Sequence, residues 1–140
     1  MIATEIIDVV VKGIIFHEKK MLIVKRSDDD EFGAGTREFV GGKIEFEEEL
    51  ETALIRETKE EAGLDIMVDK LLYATSFFTS TERKVILLKY ICKSGTSHVV
   101  ISDEHSDFKW VSAEELQLYL PSHILADFEK NCVYSKHAVI

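Results

Sequence analysis

Apolar and polar residues change period several times along the chain, and the changes divide it into elements. Residues 6–16 (IIDVVVKGIIF) are rich in β-branched side chains and lead through the polar run His17-Glu18-Lys19-Lys20 into residues 21–25, the pattern of a β-hairpin. The first of its strands is expected to be central. Residues 27–36 carry three consecutive aspartates and two glycines, which predicts an exposed loop. Residues 38–44 predict a short strand holding the pair Gly41-Gly42. Over 48–62 the period lengthens to that of a helix, with Leu50, Ala53 and Leu54 spaced to pack inward and Gly63 placed as a stop. Acidic Glu47, Glu48 and Glu49 at its start suit the helix dipole. Residues 66–78, 84–92, 98–101 and 108–111 predict further strands. Ser112 with Glu115 forms a capping-box pattern opening a short helix to 119, and Pro121 begins a last helix through 131. Strands interleaved with two or three helices predict an α/β layered architecture.

At 140 residues, the chain is expected to form a single domain, residues 1–140, long enough to bury about two-thirds of its unfolded surface. One proline and seven glycines leave no room for a flexible linker. No apolar run approaches the ~20 residues of a membrane span, and the N-terminus lacks a basic stretch followed by an apolar one, so a soluble, cytoplasmic protein is expected. Cys92 and Cys132 lack zinc or disulfide spacing and are expected to be buried small hydrophobes. A formal net charge of −9 counts against polymeric nucleic acid, whose binding rests on Lys and Arg neutralising phosphates. It does not exclude a small polyphosphate arriving as its Mg²⁺ complex.

One feature of the 48–62 helix runs against electrostatics. Glu57, Glu60 and Glu61 share a stripe at i, i+3 and i+4 near the C-terminus, where like-charge repulsion and the helix dipole both disfavour carboxylates. Only Arg56 and Lys59 lie close by in sequence. A solvated acidic face is the ordinary explanation of such a cluster; a divalent cation held by clustered carboxylates is the alternative.

The surrounding spacing decides between them. Gly42 is followed after five residues by Glu48, and after seven more by Arg56, Glu57, Thr58, Lys59, Glu60, Glu61, Ala62, Gly63 and Leu64. This stretch resembles the Nudix box, the signature of Mg²⁺-dependent hydrolases of nucleoside diphosphates linked to another group. Seven identities at roughly 7% usage each multiply to about 10⁻⁸, far too rare for chance. Thr58 departs from the family's usual aliphatic residue, and Val40 and Glu47 stand where Pro and Gly are common.

The resemblance implies a Nudix fold, a mixed β-sheet sandwiched between α-helices, with the likeness covering most of residues 6–110. It also implies a set of roles. Glu57, Glu60 and Glu61, with a backbone carbonyl from the pair at Gly41, would ligate Mg²⁺, with Mn²⁺ as a substitute; Arg56 would orient Glu48 and Glu57. Glu104, six residues ahead of Trp110, would take the proton from water or ligate another metal, and whether it or Glu57 is the base stays open. His105 reads as a solvated loop histidine.

For the substrate, Glu38-Phe39 before the glycine pair resembles the MutT-like branch, which converts (deoxy)nucleoside triphosphates to monophosphate and pyrophosphate. Arg83 falls where those relatives use an Arg near the nucleotide, and Phe77 or Phe78 could stack a base. His123 lies near the position of an Asn that reads oxidised guanine, and an imidazole cannot reproduce an amide's donor and acceptor pair. The alternatives are hydrolysis of an NDP-sugar, dinucleotide or other phosphorylated metabolite, and a non-catalytic nucleotide-sensing domain, which would show a damaged box. Many relatives form homodimers, but no interface is legible here.

Overall fold

The computed structural model describes residues 4–29 and 33–133, so the predicted loop at 27–36 is described only in part, with 30–32 outside the described residues. In chain order the elements are β1 (Ile6–His17), β2 (Lys20–Arg26), β3 (Arg37–Glu38), β4 (Val40–Lys43), α1 (Leu50–Ala62), β5 (Ile66–Phe78), β6 (Arg83–Ser94), β7 (His105–Val111), α2 (Leu116–Tyr119) and α3 (Ser122–Lys130). They form one mixed sheet in the order β3-β2-β1-β6-β5, with β4 also pairing β1 and β7 pairing β2. β1 is central, as its sequence predicts. It runs parallel to β6 from Ile6↔Arg83 to Phe16↔Lys93 and antiparallel to β4 from Val10↔Lys43 to Gly13↔Val40. Glu18 and Lys19 make its hairpin turn to β2 with φ values of 49° and 68°, the left-handed conformation that two-residue hairpin turns use.

Because successive strand residues face opposite sides, the strands feed two cores. Val11, Ile15, Leu22 and Val24 pack with Ala53 and Leu54 of α1; Ile14, Met21, Ile23 and Ile91 pack on the other face with Leu116, Ile124 and Phe128 of α2 and α3. Both faces of β1 and β2 are therefore covered, which accounts for their nearly continuous apolar sequences.

Several expectations are corrected. α1 starts at Leu50 rather than 48, since the Glu48 carboxylate is used to close a turn, accepting from the Glu45 N–H at 2.8 Å. The strand expected at 38–44 is broken at Phe39, which turns into the second core and stacks on Phe128 with ring centroids 5.8 Å apart. Residues 98–101 form no strand. They run past the end of α1, where Val100 N–H donates to Ala62 O at 3.0 Å and Ser102 N–H to Glu61 O at 3.1 Å, supplying partners for helix carbonyls that have none within the helix. The Ser112–Glu115 pairing exists, with Ser112 Oγ 2.9 Å from Glu115 Oε1, but α2 begins only after Glu115. Cys92 is buried as expected, whereas Cys132 is exposed at a left-handed turn with φ 56°. No helix among the described residues is long and apolar enough to cross a membrane.

Candidate active site

The glutamate stripe of α1 lies against β4, and the contact explains the glycine pair. At Gly42 a Cβ would meet the Glu57 carboxyl carbon at 2.6 Å, so the helix carboxylate sits directly on the strand backbone. Gly41 has φ 151°, and a Cβ there would lie 2.0 Å from the carbonyl oxygen of Val11. Only glycine fits either position without movement. Beside the pair opens a cleft of about 590 Å³ lined by Lys12, Arg26, Glu38, Lys43, Glu61 and Glu104 among others.

The three glutamates of the stripe occupy different environments. The Glu61 side chain is 6% exposed, and its Oε2 accepts from Gly41 N–H at 3.1 Å. Glu57 is partly covered, and Glu60 stands at the rim with 59% of its side chain exposed. Arg56 gathers the outer carboxylates in one fork: Nε and Nη2 donate to the two Glu48 oxygens at 2.6 and 2.7 Å, and Nη1 donates to Glu57 at 3.1 Å and Glu60 at 3.3 Å. These bonds hold Glu48 down to about 2, with the Arg56 contact the largest cause and the Glu45 N–H the next. The same contacts raise the affinity of Arg56 for its proton. Thr58, the departure from the family pattern, is fully buried and leaves its Oγ1 without a hydrogen-bond partner.

Glu61 has no such guanidinium. Burial pushes its pKa up to about 8; Lys12 opposes the rise, and the charges of Glu57, Glu104 and Glu38 add to it. Its neighbour Glu38 behaves in the opposite way. Burial disfavours its charge as well, but a hydrogen bond from His105 and the charges of Lys12 and Arg26 outweigh it and hold the pKa down to about 2. A buried carboxylate facing other carboxylates is the environment a divalent cation would relieve, and the donors are the hard oxygens such ions prefer. Among the described residues no three Asp, Glu, His or Cys side chains enclose an ion by themselves. Mg²⁺ commonly completes its shell with water and phosphate oxygens, so the donor set fits that ion.

Glu104 lines the cleft with an exposed side chain, and its backbone carbonyl accepts from Ser27 N–H at 3.0 Å. The three residues expected at the nucleotide stand apart from the cleft lining. Arg83 is bound to Asp8 at 2.8 Å, which also pairs with Lys43 of the lining at 3.5 Å. Phe78 is 68% exposed beneath Lys84, and His123 is exposed on α3.

His105 is a correction: its side chain is 2% exposed, with Nε2 3.0 Å from Glu38 Oε2. The register of β7 on β2 slips at a bulge between Lys25 and Arg26, so no simple alternation extends to His105. Lys12 and Glu38 also belong to the cleft, and the resemblance does not point to either as a site residue. A lone lysine in the apolar run VVVKGII was the available signal, because a buried charge needs a partner.

Comparison with known proteins finds similar chains in one family. The NUDIX domain model matches residues 7–131. A MutT-like protein of Streptomyces ambofaciens is 31% identical over 107 residues, 76% of this chain and 64% of that protein, so the chain spans slightly less than two-thirds of that relative. Nucleoside triphosphatase NudI of Escherichia fergusonii is 30% identical over 122 residues, covering 79% of this chain and 85% of its own. The crystal structure of the MutT protein from Methanosarcina mazei superposes with a TM-score of 0.81 at 28% identity, over 94% of this chain and 97% of that one. With a family model matching most of the chain and a solved relative superposing over nearly all of it, the chain belongs to the Nudix family of hydrolases.

Proposed function

We propose that this chain is a Mg²⁺-dependent pyrophosphohydrolase that cleaves a (deoxy)nucleoside triphosphate to nucleoside monophosphate and pyrophosphate, with Mn²⁺ able to substitute. The observation that carries this reading is the buried Glu61 carboxylate, set beside Glu57 on the glycine pair, where burial and three acidic neighbours outweigh the one lysine, Lys12, that favours its charge. When bound, the ion would neutralise phosphate oxygens and make a water molecule more acidic. Glu57, Glu60 and Glu61, with the Gly41 carbonyl, would hold it. Glu104 faces the same cleft and takes the water proton, with Glu57 the other candidate. Arg56 and Glu48 keep the outer carboxylates in place, and Lys12, Arg26 and Lys43 supply positive charge for the substrate's phosphates.

The nucleotide class rests on two relatives, one called a nucleoside triphosphatase and one MutT-like. The acidity of the chain suits a small nucleotide rather than a nucleic acid polymer. A panel of nucleotides and nucleotide sugars assayed with Mg²⁺ and with Mn²⁺, products read by phosphorus NMR, tests the reading. Pyrophosphate with a monophosphate supports it; two phosphorylated organic products would move the substrate to an NDP-sugar or dinucleotide.

A further inference from the structure

We propose that His105 is a positioning residue that brackets Glu61 against β4 and couples it to the Lys12–Glu38 ion pair, so that the buried carboxylate meets the cation in one orientation. This rests on the divalent-cation reading above.

Glu38 Oε1 lies 3.3 Å from both Lys12 Nζ and Arg26 Nη1, which makes Glu38 an ionised acceptor. The Nε2 of His105, 3.0 Å from Glu38 Oε2, is therefore the donor in that contact, and the ring is fixed. Its other nitrogen, Nδ1, is buried without a hydrogen-bond partner and faces Glu61 Oε1 at 3.8 Å. Glu61 Oε2 is already taken by Gly41 N–H, so one carboxyl group stands between a strand amide and an imidazole. The backbone closes the same circuit: His105 N–H donates to Ser102 O at 3.2 Å, and Ser102 N–H donates to Glu61 O at 3.1 Å. At 3.8 Å the ring makes no hydrogen bond to Glu61, and in the neutral ring Nδ1 carries a lone pair, so the imidazole, itself held by Glu38, confines the carboxyl group by contact rather than by a bond. Groups that orient a metal ligand commonly change metal affinity or activity by ~10–100-fold when removed.

The test uses the whole chain and Mn²⁺ as probe, with affinity read by calorimetry in the absence of nucleotide and kcat and KM measured separately. His105→Leu should weaken Mn²⁺ binding by about tenfold or more and lower kcat, while the KM for nucleotide at saturating Mn²⁺ changes less than about twofold. His105→Gln, which keeps an N–H for Glu38, should recover most of the affinity. The proposal is overturned if folded His105→Leu binds Mn²⁺ as the wild type does, or if His105→Gln is as defective as His105→Leu. Should His105→Leu fail to fold, Glu38→Gln carries the test: weaker Mn²⁺ binding is expected, and unchanged binding overturns the coupling. A wild-type chain that does not bind Mn²⁺ would remove the cation reading itself, a result distinct from these.

Discussion

Lys89 shows at one residue how this molecule tolerates charge where it should not be. It is 3% exposed on β6, beside Lys12 in the β1–β6 register, and its Nζ lies 4.9 Å from the ring centre of Phe39, 5.7 Å from Tyr73 and 5.9 Å from Phe128. The aromatic faces offset part of the cost of burying an ammonium. Burial, then repulsion from Lys12, brings its pKa from 10.5 down to about 7, against the opposing pull of Asp127 and Glu38. Below pH 7 both folded and unfolded chains hold this proton and the full cost is present; between 7 and 10.5 the unfolded chain holds more, so the cost shrinks as pH rises. Lys89→Met should therefore be more stable than the wild type by a few kcal/mol near neutrality, with the advantage fading toward pH 10.5. Urea denaturation of both proteins across that range reads the difference, and a gap independent of pH would refute the account. Glu61→Gln belongs at the same scale. Turnover should fall by about a hundredfold or more, whereas stability in EDTA should hold or rise, since a carboxylate facing other carboxylates is lost.

At the scale of elements, the site is the contact of α1 on β4, and the two glycines of β4 should fail in different ways. The atoms nearest a Cβ at Gly42 belong to the movable end of Glu57, so Gly42→Ala should fold with a melting temperature within about 3 °C of wild type and lose activity about tenfold or more. A Cβ at Gly41 meets backbone of β1, so Gly41→Ala should destabilise the fold itself by several kcal/mol. Equal losses of stability in the two variants would show that Glu57 does not sit where this packing has it. The period of the sequence reveals α1, its stop at Gly63, the β1–β2 hairpin and β5, because local pattern determines them. It does not reveal the break at Phe39 or the path of 98–102 across the end of α1, which depend on tertiary partners. The stripe of Glu57, Glu60 and Glu61 is legible from helical spacing, whereas the Lys12–Glu38–His105 network joins residues 26 and 67 positions apart and has no local signature.

For the molecule as a whole, negative charge prevails, and in the cleft carboxylates outnumber the three cations Lys12, Arg26 and Lys43. The chain carries a net charge of −9, and Glu38, Glu61 and Glu104 all line one cleft. Any salt should relieve general repulsion by screening, but an ion that binds the folded chain alone adds RT ln(1 + [ion]/Kd), about 2.7 kcal/mol at a hundredfold excess over Kd. Millimolar Mn²⁺ should consequently raise the melting temperature by several degrees more than NaCl of the same ionic strength, and Mg²⁺ should act in the same direction. Glu61→Gln should lose most of that excess and keep only the response to salt. Thermal scans of the two proteins in matched ionic strength separate screening from binding. If Mn²⁺ and NaCl act alike on the wild type, the cleft is an acidic surface without a specific ion, and the catalytic role given to α1 falls with it.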